Sequence, residues 1–345
     1  MLFATLSLIA SAAALSSSPP KPVLVLGATG KVGQLVVRGL VRRDVPVRAL
    51  VRNRTKAALV LADATGVGGF RALPGVSVVA GDATDAASLA AALDGVESVV
   101  CVTGAFRPSK LADFAPWRLF GDDPMAWCDD ASHPYFVNYR GVAALARLAE
   151  AAGVRRVVRL TGLSVGLPAT NPVAALFNAL LSCTGKWHDR GERALRASAL
   201  DYTILRPGGL SDAPRPARVN VQAVSADRPT PPPPARVGRA DLAELAVVAA
   251  LGDARAARAT LSCRWVGEAT APRVKQGRAD DGSAAWEGEL AKIDATASAA
   301  AERALAEARA PRAALGAAVV VYSALAIAAK VAAWVLARAI RAVAT

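Results

Sequence analysis

The stretch "VLVLGATGKVG" carries an apolar, β-branched run into Gly27, Gly30 and Gly33, and residues 31–42 then show helical periodicity. Three glycines at that spacing, between a strand and a helix, are suited to holding a pyrophosphate. The first permits a sharp turn, the second lets backbone approach an anion, and the third lets helix pack closely on strand, while free N–H groups at the helix amino end face the phosphates. The block therefore nominates Gly27, Thr29, Gly30, Lys31, Val32 and Gly33 as cofactor contacts. The alternative is a tight structural turn.

The end of the next strand decides which dinucleotide fits. An acidic residue there holds a ribose 2′-hydroxyl, and a basic one accepts a 2′-phosphate. The sequence reads "ALVRNR", with no carboxylate between Val45 and Arg54. Arg52 is the candidate ligand and Arg54 the alternative, since a guanidinium makes charge-assisted hydrogen bonds to phosphate. NADP(H) is expected over NAD(H).

The elements that must position these residues alternate. "PVLVL" (22–26), "VPVRALV" (45–51), "VSVVA" (76–80), "SVVCV" (98–102), "RVVRL" (156–160) and "DYTIL" (201–205) read as strands. Residues 31–42, 55–61, 86–93 and 138–152 read as helices between them. This is the pattern of an α/β, doubly wound, Rossmann-like parallel sheet with helices on both faces. Residues 104–135, rich in tryptophan, proline and aspartate, follow the fourth strand and read as a lid over a ligand or a surface excursion. "DRPTPPPPAR" (227–236) reads as an extended spacer.

The division expected is a targeting or disordered segment over 1–20, a nucleotide-binding domain over 21–270, a linker over 271–284, an amphipathic helix over 285–310 and a final helix over 311–345. In the amphipathic helix Trp286, Leu290, Ile293 and Ala301 make the apolar stripe, and Glu289, Glu302, Arg303 and Glu307 flank it. Residues 313–329 carry no charge, and Arg309, Arg312, Lys330, Arg338 and Arg341 form a narrow cationic seam. That last helix fits a membrane span, a membrane-surface helix or a partner-packed helix.

Composition narrows the partners. The chain has 345 residues, 53% of them hydrophobic but only 5% aromatic, and a formal net charge of +13. Its arginines are scattered, without a dense basic run interleaved with aromatics, which reads as a solvated surface and makes nucleic acid an unlikely partner. The four cysteines show no CxxC pair and the two histidines are far apart, so neither a metal site nor a disulfide framework is expected.

Taken in order, "GATGKVG", "GDATD" (81–85), "VNYRGVAALARLAEAAGVRRVVRLTGLS", "LRASALDYTILRPGGL" and "VGRADLAELAVVAAL" resemble the atypical, NmrA-like branch of the short-chain dehydrogenase/reductases, including plastid NADP-binding members with membrane or complex attachment. The resemblance spans about residues 22–266. It implies that Asp82 and Ala83 lie beside adenine, that Thr103 is near the ribose, and that Pro207, Gly208 and the residues to Leu210 close over the nicotinamide. It also aligns the family's catalytic lysine with His188, its tyrosine with Thr184 and its serine with Thr161; a two-residue slip brings Arg190 and Lys186 there instead. Thr161, His188 and Lys186 are thus the catalytic candidates, with His188 also a ribose contact. Thr184 is no acid, whereas an imidazole titrating near neutral pH shuttles protons. Arg206 is read as an ion-pairing residue and Tyr202 as core. Two functions stay open: an oxidoreductase acting on an unidentified small carbonyl or quinone-like compound, or a non-catalytic NADP(H) sensor or scaffold tethered to a membrane, in an organelle such as a plastid or, alternatively, soluble.

Overall fold

A computed structural model describes residues 20–63, 71–114, 128, 130–167, 171–213, 218–223, 235–266, 289–307, 319–324, 327–328 and 331. Eight strands form one sheet: β1 (Val23–Leu26), β2 (Val47–Val51), β3 (Val76–Ala80), β4 (Ser98–Cys101), β5 (Arg156–Leu160), β6 (Asp201–Pro207), β7 (Arg218–Ala223) and β8 (Ala259–Val266). They lie in the order β7-β8-β6-β5-β4-β1-β2-β3, parallel except that β7 runs antiparallel to β8. The order reverses between β1 and β4. In a doubly wound sheet, the crevice beyond the strands' carboxyl ends at that reversal is where a dinucleotide binds.

The β-branched strands are buried on both faces, as parallel strands must be when helices cover both sides. Val25, Val100 and Val158 point to one face, against Val36, Val37 and Leu40 of α1 (Lys31–Val41) and Leu242, Leu245 and Ala246 of α7 (Arg239–Ala250). Leu24, Leu26, Val99 and Val157 point to the other, against α3 (Ala86–Leu93), α4 (Gly141–Ala151) and α6 (Thr184–Arg196). Burial of these aliphatic side chains, each contributing roughly 1.5–3 kcal/mol, fixes the layers.

The six strands and four helices read from sequence are present, α2 being Arg54–Val60. The helix expected from residue 138 begins differently, with a π turn over Tyr135–Arg140 before α4. Not read from sequence were α5 (Pro172–Leu180), α6, α7, β7, β8, the short parallel pair Gly209–Ser211 with Arg236–Gly238, and the two-residue hairpin arms Ala62–Asp63 and Arg71–Ala72. Helix α6 hides Gly185 and Gly191, which cost about 1 kcal/mol each in a helix interior. Gly191 is required: a Cβ there would lie 2.2 Å from the Asn138 carbonyl oxygen.

Near the carboxyl end, Leu290 is buried and Ile293 packs on the first core; of the expected 285–310 helix, the described residues form α8 over Ala295–Glu307, preceded by a turn at residues 291–292, and residues 285–288 and 308–310 lie outside them. Glu302, expected on its solvated flank, is instead buried, where it accepts hydrogen bonds from Arg196 (3.0 Å) and the Tyr202 hydroxyl (2.9 Å). Segments 1–19, 227–234 and 267–288, with most of 311–345, lie outside the described residues. Among the described residues no helix is long and apolar enough to cross a membrane.

Candidate functional site

The glycine turn has the geometry its sequence implies. Gly27 sits at φ +85°, a region side chains disfavour, and a Cβ on it would press on the Thr103 backbone at 3.2 Å. A Cβ on Gly33 would fall 2.1 Å from the Gly27 carbonyl oxygen, so only glycine permits this approach of α1 to the turn. Gly30 donates to Gly27 (3.0 Å) and begins α1 without a side-chain cap or an acidic residue in the first turn. The N–H groups of residues 31–33 therefore have no partner in the helix and stand ready for an anion. The Lys31 ammonium pairs with Asp212 at 3.0 Å, which leaves its backbone N–H as the group facing the turn. Val32 packs on the first core.

A cleft of about 430 Å³ opens over this turn at the β1/β4 reversal. Gly27, Thr29 and Gly30 line its floor, Arg52 and Lys56 one end, Asp82 and Ala83 the wall beside them, and Thr103 to Arg107 the other end. The Asp82 carboxylate accepts from the Thr84 N–H and hydroxyl, both at 2.8 Å, which orders the loop after β3. Arg52 is exposed, and no hydrogen bond or ion pair to another described residue engages its guanidinium; the Lys56 ammonium is equally free. Arg54 does not line the cleft. Lys56 was not singled out from sequence, yet a signal existed: α2 carries Arg54 and Lys56 in a first turn with no acidic residue, against the helix dipole, an arrangement that a bound anion offsets.

The far end of the cleft is held by the π turn. Asn138 accepts from the Ala105 N–H (3.0 Å), donates to the Ala105 carbonyl (3.2 Å) and donates to the Thr184 hydroxyl (3.1 Å). Asp113 ties down the following loop, accepting from Arg107 (2.9 Å), the Lys110 N–H (2.8 Å) and Ser182 (3.0 Å). Of the expected lid over 104–135, residues 115–127 and 129 lie outside the described part.

None of the expected catalytic residues Thr161, Lys186 and His188 lines the cleft. Thr161 follows β5, but its hydroxyl donates to Glu192 at 2.8 Å. Thr184, at the tyrosine's place, hydrogen-bonds the Ala105 carbonyl (3.3 Å). Lys186 lies over the Trp187 ring, 4.6 Å from its centroid; burial lowers its pKa to about 8, opposed by Cys183 and aided by Arg190. Pro207 and Gly208 are buried at the end of β6, where Gly208 donates to the Cys263 carbonyl (3.1 Å), and neither lines the cleft. Burial and then the Arg159 charge push the His188 pKa down to about 3, although Glu192 pulls the other way, which disfavours a charged imidazole near neutral pH. Arg159, unmarked by sequence, reaches across from β5 to the imidazole Nδ1 at 3.4 Å.

Beneath them lies a buried charge cluster. Glu192 accepts from Arg206 (3.1 and 2.5 Å), Arg196 (3.0 Å) and Thr161. Burial alone would raise its pKa, but Arg206 and Arg196 hold it at about 2. The ion-pairing reading of Arg206 and the core reading of Tyr202 both hold.

Sheet order, glycine turn and cleft together define a Rossmann-type dinucleotide-binding protein. Residues 27–253 match the model of the family described as NAD(P)H-binding. The chain belongs to that family, in keeping with its NmrA-like motifs. It is 32% identical over 208 residues to an uncharacterized chloroplastic protein of Arabidopsis thaliana, covering 60% of this chain and 58% of that one. It is 32% identical over 197 residues to the chloroplastic Protein TIC 62 of Pisum sativum, covering 54% and 32%. It is 30% identical over 186 residues to an NAD(P)H azoreductase of Xenophilus azovorans, covering 54% and 47%. The chain thus spans between about a third and three fifths of these relatives. An oxidoreductase from Lactococcus lactis shares the fold, with a TM-score of 0.53 at 18% identity, covering 79% of this chain and 98% of that one.

Proposed function

We propose that this protein is an NADP(H)-dependent reductase of a small conjugated acceptor, a carbonyl or quinone-like compound, acting in a plastid. The observation that carries the coenzyme choice is the pair of unengaged cations, Arg52 and Lys56, lining the cleft just after β2, a strand end that carries no carboxylate to hold a 2′-hydroxyl, while the nearby Asp82 is engaged by Thr84. The Gly27–Gly33 turn would hold the pyrophosphate, Asp82 and Ala83 would flank the adenine, and Thr103 would face the ribose. When bound, the dinucleotide supplies the hydride. The azoreductase relative supports reduction of a conjugated acceptor, and the chloroplastic relatives support the compartment.

Titration calorimetry with NADPH and NADH tests the coenzyme. The native protein should prefer NADPH at least about tenfold. Arg52→Ser should remove roughly a factor of ten, one charge-assisted hydrogen bond, and Arg52→Ser/Lys56→Ser should erase the preference without weakening NADH more than about twofold. A preference for NADH, or one unchanged in the double variant, overturns the assignment. A second reading, a non-catalytic NADP(H) sensor or scaffold, is favoured by the inward commitment of the Thr161 and Thr184 hydroxyls. Tight NADPH binding without oxidation by any carbonyl or quinone would establish that reading instead.

A further inference from the structure

We propose that the outer edge of the His188 imidazole is a hydrogen-bond donor that receives the acceptor oxygen of the substrate, with Arg159 as its positioning residue. This rests on the reductase reading for the class of ligand. The geometry is independent of it. A guanidinium has donors and no acceptor, so the Arg159 Nη2 facing His188 Nδ1 at 3.4 Å requires Nδ1 to present its lone pair. The ring proton must then sit on Nε2. That atom is buried and has no hydrogen-bond partner, although a buried, unsatisfied donor costs about 1–3 kcal/mol. A fold that keeps such a donor beside its cofactor cleft has a use for it.

The surroundings specify the ligand. Arg159 is 1% exposed, and its Nη1 donates to the Thr103 carbonyl (2.6 Å), the Cys101 thiol (3.1 Å), the Thr103 hydroxyl (3.2 Å) and the Cys101 carbonyl (3.5 Å). Among the described residues no carboxylate lies within ion-pair distance of it. Glu192, on the same helix as His188, is already shared by Arg206 and Arg196. The charge behind the imidazole thus favours an oxygen that becomes negative. Next to the imidazole is Phe106, which lines the cleft, is 65% exposed, and has its ring centroid 6.2 Å from that of His188. Rotation of this exposed ring would admit the ligand to Nε2, and its aromatic face suits a planar conjugated ligand. Hydride addition to carbon would move the C=O π pair onto the oxygen held at Nε2; a bound reduced dinucleotide would supply the hydride, and water the neutralising proton. His188 keeps its proton throughout, polarising the acceptor as a neutral imidazole does elsewhere.

The chain has two histidines, so ¹⁵N-histidine spectra assigned with His188→Gln are tractable. His188 should show the Nε2–H tautomer, unchanged between pH 8 and 5, and Arg159→Met should mix the tautomers. In the NADP⁺ complex, 1,4-naphthoquinone should shift the Nε2–H proton downfield. His188→Leu should weaken naphthoquinone about tenfold or more and lower kcat by about 10². His188→Gln, which offers an amide N–H at similar reach, should recover most of both, with NADPH affinity unaltered. An Nδ1–H tautomer, or naphthoquinone affinity equal in native and His188→Leu proteins, overturns the donor while leaving the reductase reading standing. Native protein that binds NADP⁺ but neither binds nor reduces the quinone overturns the reductase reading and this occupant with it.

Discussion

Glu192→Gln probes the buried cluster that seats helix α6, and with it His188. Glu192 is fully buried and answers two guanidiniums: Arg206, 3% exposed, at 2.5 Å, and Arg196 at 3.0 Å. Arg196 keeps Glu302 as a second partner, but Arg206 has no other carboxylate among the described ion pairs. The amide keeps the shape and removes the charge, leaving Arg206 buried and uncompensated, which costs about 3–5 kcal/mol. The pH dependence gives a similar figure. The carboxyl titrates at about 2 in the fold against an ordinary 4.5, and about 2.5 units are worth roughly 3 kcal/mol at neutral pH. Because the folded pKa is depressed, this stability is present above about 4.5 and lost as pH falls toward 2. Urea denaturation at pH 7 should show a midpoint loss corresponding to about 3–5 kcal/mol for Glu192→Gln, and partial recovery when Arg206→Met is added, since removing both charges relieves the imbalance. A loss under about 1 kcal/mol, or a double variant as unstable as the sum of the singles, refutes the reasoning.

Gly33→Ala should abolish detectable binding of either dinucleotide, because its methyl would sit 2.1 Å from the Gly27 carbonyl oxygen and force α1 off the turn; micromolar binding by calorimetry would count against the cradle. His188 titrates at about 3 against an ordinary 6.5, so the unfolded chain takes up a proton that the fold does not between those values. Stability should therefore fall by about 1.4 kcal/mol per pH unit from pH 6 to 4 relative to His188→Gln, measured by urea denaturation across that range. Parallel pH profiles for the two proteins would contradict the burial of a neutral imidazole.

The parts of this site that were legible in sequence are contiguous. Strand, glycine turn and helix occupy one stretch, and Arg52 ends the next strand, so spacing alone locates the cradle. Asp82, Ala83 and Thr103 came with the family resemblance and fall on the same cleft. What sequence hid depends on long-range burial. "RVVRL" reads as a strand that puts arginines at its ends, yet the sheet buries Arg159 between β4 and β6 and brings it to a histidine 29 residues away. Counting along a family motif placed His188 where a ribose-binding lysine belongs; the fold turns its imidazole toward an arginine and deprives it of charge. Pro207 and Gly208 are drawn into the sheet by β8, a strand not read from sequence. Glu302 looked solvated because amphipathic periodicity cannot see an arginine and a tyrosine waiting more than 90 residues upstream.

That glutamate ties the tail of the chain to the nucleotide-binding body. Arg196 pairs with Glu192 on its own helix, which Arg206 shares, and with Glu302 on α8, so the family region alone, ending at Asp253, lacks the second of these carboxylates. The trailing helix is accordingly a keystone rather than an appendage, and whatever tugs on it is felt at the root of α6, on the same helix that carries the histidine.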